Sequence, residues 1–109
     1  MNNDSKMLAE AYDQVAENKE LLIDKFLKRL LFVYKFVIKD RYDDIYNKRD
    51  EEELEKLKNL LQKFLKTPEY EKYISTKLKE YGISLSVITD TPTERDIISI
   101  KEMDFRDPK

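Results

Sequence analysis

Between Leu21 and Ile38 the chain places thirteen apolar or tyrosine side chains in eighteen residues and threads five charges through them. A helix this apolar is not stable alone in water, because most helical stability comes from packing of the apolar face. It must be buried, either in the chain's own core or against a partner. The charges are Asp24, Lys25, Lys28, Arg29 and Lys35, and they argue against a membrane span.

On a helical wheel the segment from about Lys19 to Asp40 divides in two. Leu22, Ile23, Phe26, Leu27, Leu30, Leu31, Val33, Tyr34, Val37 and Ile38 fill one half of the circumference. An ordinary amphipathic helix carries a stripe a little over about 100° wide, so this helix needs at least two neighbours and should be the centre of the fold. A strand over Leu30 to Phe36 is the rival, but the pattern is not period two. The other half holds Lys25, Lys28, Arg29, Lys35 and Lys39, with Phe32 and Phe36 projecting from the middle of it. A solvent face does not need two phenylalanines inside a basic stripe.

The rest of the chain supplies neighbours of the same kind. Ser5 fits an N-cap for a first helix from about Lys6 to Glu17, with Met7, Leu8, Ala11 and Val15 on one face. Asn18 either breaks this helix or lets it run into the next. Arg41 would enter the apolar arc if the second helix continued, which predicts a break or a snorkelling side chain near Asp40. A third helix is expected over about 51–66, with Asp50 as N-cap and Glu53 as capping-box partner. Leu54, Leu57, Leu61 and Phe64 recur along it at three and four residues. Thr67-Pro68 restarts a fourth helix to about Tyr81, and Gly82, the single glycine, stands where a left-handed C-cap belongs.

Beyond Gly82 the pattern changes. Ile83 to Ile88 alternates with period two, Thr89 to Asp96 reads as a turn, and Ile97 to Met103 is strand-like again. Residues 83–109 are therefore expected to form a β-hairpin or extended tail packed on a helical bundle of residues 1–82. Asp104 to Lys109 reads as a fraying end. The expected fold class is mainly α: a single domain of three to four helices with a short C-terminal hairpin.

Composition supports that class. One glycine and three prolines in 109 residues leave little material for turns, and the 40% of charged residues nearly cancel to a net charge of −2. There is no cysteine and no histidine, which excludes disulfides, thiolate nucleophiles and the usual zinc sites and removes the commonest general base. The polar N-terminus has no signal-peptide core, and the expected location is cytoplasmic. The wealth of Lys, Glu, Ile and Tyr is shared by hyperthermophile proteins and by AT-rich genomes, archaeal and phage among them.

Three constellations are candidate sites. The basic-aromatic stripe of Lys25, Lys28, Arg29, Phe32, Lys35, Phe36 and Lys39 suits an acidic protein partner, or bases and phosphates of a nucleic acid. The rival explanation is that the first helix or the tail covers the two phenylalanines. Residues 19–49 carry nine Lys/Arg and five Asp/Glu, a local excess of four positive charges, although a nucleic-acid module usually shows a basic excess overall. The tyrosines form the second: Tyr42 and Tyr46 four apart, and Tyr70, Tyr73 and Tyr81 together, read either as interface residues or as packing at the edge of the core.

The third is acidic. Glu17-x-x-Glu20 is followed by Asp40-x-x-Asp43, and pairs three apart share a helix face. This spacing resembles the Glu-x-x-Glu and Glu-x-x-Asp pattern of the all-α MazG-like nucleotide pyrophosphatases over about 27 residues, with Asp40 where that family has Glu. The resemblance implies a magnesium-dependent nucleotide pyrophosphohydrolase in which Glu17, Glu20, Asp40 and Asp43, on antiparallel helices, hold the metal against a triphosphate.

The reading that best fits the residues is a non-enzymatic interaction protein, an adaptor or modulator of the kind carried by phages and mobile elements. It has no catalytic residue, metal or cofactor. Its expected partners are another protein and, because the core is modest, a second copy of the chain in a homodimer. Nucleic-acid binding and the pyrophosphohydrolase are the alternatives. The expected hairpin would add a sheet edge for a partner strand.

Overall fold

The computed structural model describes the backbone of residues 2–105 and the side chains of residues 19–105. Five helices follow in order: α1 (Asn2–Tyr42), α2 (Lys48–Phe64), α3 (Pro68–Glu80), α4 (Ser86–Thr89) and α5 (Glu94–Glu102). The two expected N-terminal helices are one. Asn18 carries only a weak helix penalty, which does not stop a helix whose next five turns are anchored in the core. Ser5 lies inside α1 instead of capping it, and the side chains of Met7, Leu8, Ala11, Tyr12 and Val15 lie outside the described residues.

α1 is the spine. Among the described residues it gives the core Ile23, Leu27, Leu30, Leu31, Val33, Tyr34 and Val37, none more than 3% exposed. The wide apolar arc meets several neighbours, as its width demands: α2 packs along it, α3 and α5 contact it, and α4 sits on α2. Leu54, Leu57 and Leu61 come from α2, Ile74 and Leu78 from α3, and Ile83, Val87, Ile88 and Ile100 from the C-terminal region. Burying one such aliphatic side chain contributes about 1.5–3 kcal/mol, and α1 supplies the largest share.

α1 ends at Tyr42 in a Schellman turn. The Ile45 amide bonds the Asp40 carbonyl at 2.7 Å and the Asp44 amide bonds that of Arg41 at 3.2 Å, with Asp44 left-handed at φ 61°. α3 ends the same way, with Ile83 N–H on Leu78 O at 2.9 Å and Gly82 at φ 74°. α2 starts earlier than expected. Its cap is Asn47, whose Oδ1 accepts from Asp50 N at 3.3 Å, so Asp50 is the third helical residue and not the cap.

The expected hairpin is absent: residues 83–102 form α4 and α5, and there is no strand among the described residues. Asp96 explains the difference. Thr93 Oγ1 accepts from Asp96 N at 3.1 Å while Asp96 Oδ2 accepts from Thr93 N at 3.0 Å, a capping box that starts α5. The same carboxylate accepts from Ser84 N at 2.8 Å and from Ser84 Oγ at 2.7 Å. It therefore closes the loop across α4. Val87 and Ile88 are neighbours in α4 and both buried, which a strand with one buried face does not give, so the apparent alternation was a coincidence of two serines.

Candidate interaction face

The basic-aromatic stripe lies on the side of α1 that meets the segment following α5. Lys25, Lys28, Arg29 and Lys39 are exposed, Phe32 and Lys35 are half-buried, and Phe36 is 47% exposed. Phe32 and Phe36 meet edge-on with ring centroids 5.0 Å apart, because residues four apart on a helix are neighbours. Phe36 thus presents a ring to solvent while Phe32 backs it.

Part of the stripe is occupied from within the chain. Phe105 packs edge-on against Phe32 at 5.6 Å and 88°. Lys35 Nζ donates to the Met103 carbonyl and lies 5.7 Å from the Phe105 ring centroid. Arg29 stands over Phe32 at 5.4 Å and holds Glu53 of α2 in a bidentate pair, Nε to Oε1 at 2.8 Å and Nη2 to Oε2 at 2.9 Å. Two of the five cations are thereby engaged inside the molecule. Covering by the tail, the rival explanation, holds for Phe32 and not for Phe36. Phe105, expected to fray, is docked, while residues 106–109 lie outside the described residues.

Arg41 does leave the apolar arc. It reaches across to Glu51, with Nε 3.0 Å from Oε2, and that bond, foremost, raises its pKa above the ordinary guanidinium value. Together the Arg29 and Arg41 pairs tie the α1 spine to the first turns of α2.

The acidic constellation is not assembled. Glu20, Asp40 and Asp43 belong to α1 or the turn that ends it, and Glu20 and Asp40 are twenty positions apart on one continuous helix. At about 1.5 Å per residue that is roughly 30 Å, and the antiparallel pairing does not form within the chain. The Glu17 side chain lies outside the described residues. No group of three or more carboxylates is placed to hold a metal ion among the described residues.

The tyrosines separate into two kinds. Tyr70, Tyr73 and Tyr81 pack against the core, and Tyr70 meets Phe64 edge-on at 5.9 Å. Burial, and then the nearby Asp24 carboxylate, raise the pKa of both Tyr73 and Tyr81. Tyr42 and Tyr46 are 83% and 73% exposed, with Ile45 at 54% between them. Ile45 and Tyr46, with Arg41, Asp44 and Glu51, line an open depression of about 390 Å³. Packing at the core edge is the wrong account for Tyr42 and Tyr46, because the Schellman turn carries both beyond the bundle. Lys101 of α5 covers one face of Tyr42 at 5.4 Å.

No helix among the described residues is long and apolar enough to cross a membrane. No family model, curated protein or solved structure matches the chain.

Proposed function

We propose that this chain is a non-enzymatic helical interaction protein, an adaptor or modulator that engages another protein through the Phe32/Phe36 face of α1. The observation that carries the reading is Phe36. It is a large aromatic side chain, nearly half exposed, set among Lys35 and Lys39 and backed by a second ring at 5.0 Å. A rigid aromatic anchor with charges at its rim is what binding hot spots are made of. Tyr42, at the C-terminal end of α1, and Ile45 and Tyr46, in the turn that follows, are further exposed apolar side chains open to a partner. Without a strand among the described residues there is no sheet edge on them for a partner strand to join.

The test uses Phe36→Ser, since that side chain contributes little to the core. Wild type and variant, matched for fold by circular dichroism, are used for affinity capture and for sedimentation at low and high salt. A protein retained by wild type and depleted at least tenfold with Phe36→Ser supports the reading. Identical retention by both overturns it, and a salt-sensitive nucleic acid in place of a protein moves the assignment to nucleic-acid binding. The sedimentation arm also reads the homodimer that belongs to this proposal.

A further inference from the structure

The segment that already sits on the candidate face indicates what else would fit there. α5 ends at Glu102, and Met103 turns into extended backbone at φ −66°, ψ 139°. From there Met103-Asp104-Phe105 crosses α1. Its Met103 carbonyl accepts from Lys35 Nζ, and its Phe105 ring stands edge-on to Phe32 at 5.6 Å and beside the Lys35 ammonium at 5.7 Å. This is how a bound peptide is held: one aromatic side chain against an aromatic wall, one main-chain carbonyl on a cation, and an acidic residue between them in a basic neighbourhood. The seat continues past this occupant, because Phe36, in edge contact with Phe32, is 47% exposed. Charge favours the same ligand class. Lys28, Lys35 and Lys39 flank the two rings, Arg29 is already balanced by Glu53, and the acidic group within a helical turn of Phe36 is Asp40.

We infer that Met103–Phe105 is an internal occupant of the interaction face, and that the partner presents an extended segment of like chemistry, an aromatic side chain next to a carboxylate, which displaces it. The inference rests on the reading of Phe32/Phe36 as the interaction face.

The probe is a fluorescein-labelled peptide with the sequence of residues 101–109, and controls carry Ala for its Phe or Asn for its Asp residues. Anisotropy titrations compare the full chain, its Phe105→Ala variant and the Phe36→Ser/Phe105→Ala double variant, each checked for folding by a thermal melt. Should Phe105→Ala not fold, Phe105→Leu replaces it, keeping apolar bulk without the ring. Phe105→Ala is expected to bind the probe roughly tenfold more tightly than wild type, about 1.4 kcal/mol. The double variant and the Ala-substituted probe should lose that gain, and the Asn-substituted probe should bind more weakly and with less dependence on salt. Equal binding by wild type and Phe105→Ala, lost with Phe36→Ser, overturns the displacement and leaves the interaction face standing. No binding by either overturns the inference, while the face itself is decided by the Phe36→Ser capture experiment. A wild-type dimer that Phe105→Ala dissociates also overturns it, since the seat would then hold the segment of a second copy.

Discussion

Replacing Asp96 by Asn should cost this protein about 3 kcal/mol, although the change alters a single atom. Asp96 is 2% exposed and accepts three hydrogen bonds, from Ser84 N, Ser84 Oγ and Thr93 N. Asn has one acceptor oxygen. Whichever way its amide is turned, either Ser84 N–H or Thr93 N–H faces an NH2 group, and a buried donor left without an acceptor costs about 1–3 kcal/mol. The bonds that survive are no longer charge-assisted, which removes roughly 1 kcal/mol more. Against a total stability of about 5–15 kcal/mol, such a loss should lower Tm by on the order of 10–20 °C. Urea unfolding followed by circular dichroism reads it at pH 7. A pH series supplies an independent check. Burial pushes the Asp96 carboxyl up, but the bonds from Ser84 and Thr93 outweigh it and hold its pKa below the usual carboxylate value. A lowered folded pKa means that the stabilisation is complete above the unfolded value, about 3.9, and is lost as pH falls through the folded one. The gap between wild type and Asp96→Asn should therefore be constant from pH 7 to about pH 5 and shrink below about pH 4. A gap under about 0.5 kcal/mol at pH 7, or one that widens in acid, would refute the reasoning.

Two further changes probe the same framework. Tyr34→Phe strands the buried Val87 carbonyl, which now accepts from the tyrosine hydroxyl at 2.7 Å, and should cost about 1–2 kcal/mol in denaturant titrations. Burial, foremost, raises the Tyr34 pKa well above the ordinary phenol value, so the advantage of wild type should persist to about pH 10 and narrow as pH rises beyond it. Gly82→Ala forces a Cβ into φ 74°. Space is not the obstacle, since the new atom would meet Ser99 Oγ at 3.6 Å, so the loss of about 1 kcal/mol is conformational. Asp44→Gly at φ 61° should gain roughly 0.5 kcal/mol, and urea midpoints of the two variants should move in opposite directions.

These residues also mark where the sequence was legible. The apolar arc of α1, the Leu54/Leu57/Leu61 ladder, the Thr67-Pro68 restart and the left-handed Gly82 all follow from side-chain period and turn chemistry, and each stands in the structure. Asp44 at the other Schellman turn was not legible, because aspartate enters the left-handed region only occasionally and so carries no glycine-like signal. The capping box of α5 was missed because Thr93-x-x-Asp96 was read as part of a turn, although Thr at the cap with a carboxylate three residues on is a helix-start signature. In the candidate site, the pairing of Phe32 with Phe36 follows from their spacing. The seating of Phe105 on Phe32 does not, since nothing local links positions 32 and 105. Arg29 and Glu53 met for the same unpredictable reason, being 24 positions apart and free to choose among many opposite charges.

The order in which this core is made differs from the order in which it closes. α1 holds the most apolar surface and is synthesised first, yet Val87, which caps Tyr34, lies 53 positions later, and Met103, which binds Lys35, lies 68 positions later. At about 5–20 residues per second on a ribosome, the first of these intervals alone lasts roughly 3–10 s, far longer than the sub-microsecond to microsecond time in which a helix forms. Throughout it the side of the α1 helix that Val87 and its neighbours cover in the folded protein lacks that cover. The five charges threaded through Leu21 to Ile38 then act as protection during synthesis, keeping that helix from presenting an unbroken apolar run to other chains before its own C-terminal helices arrive.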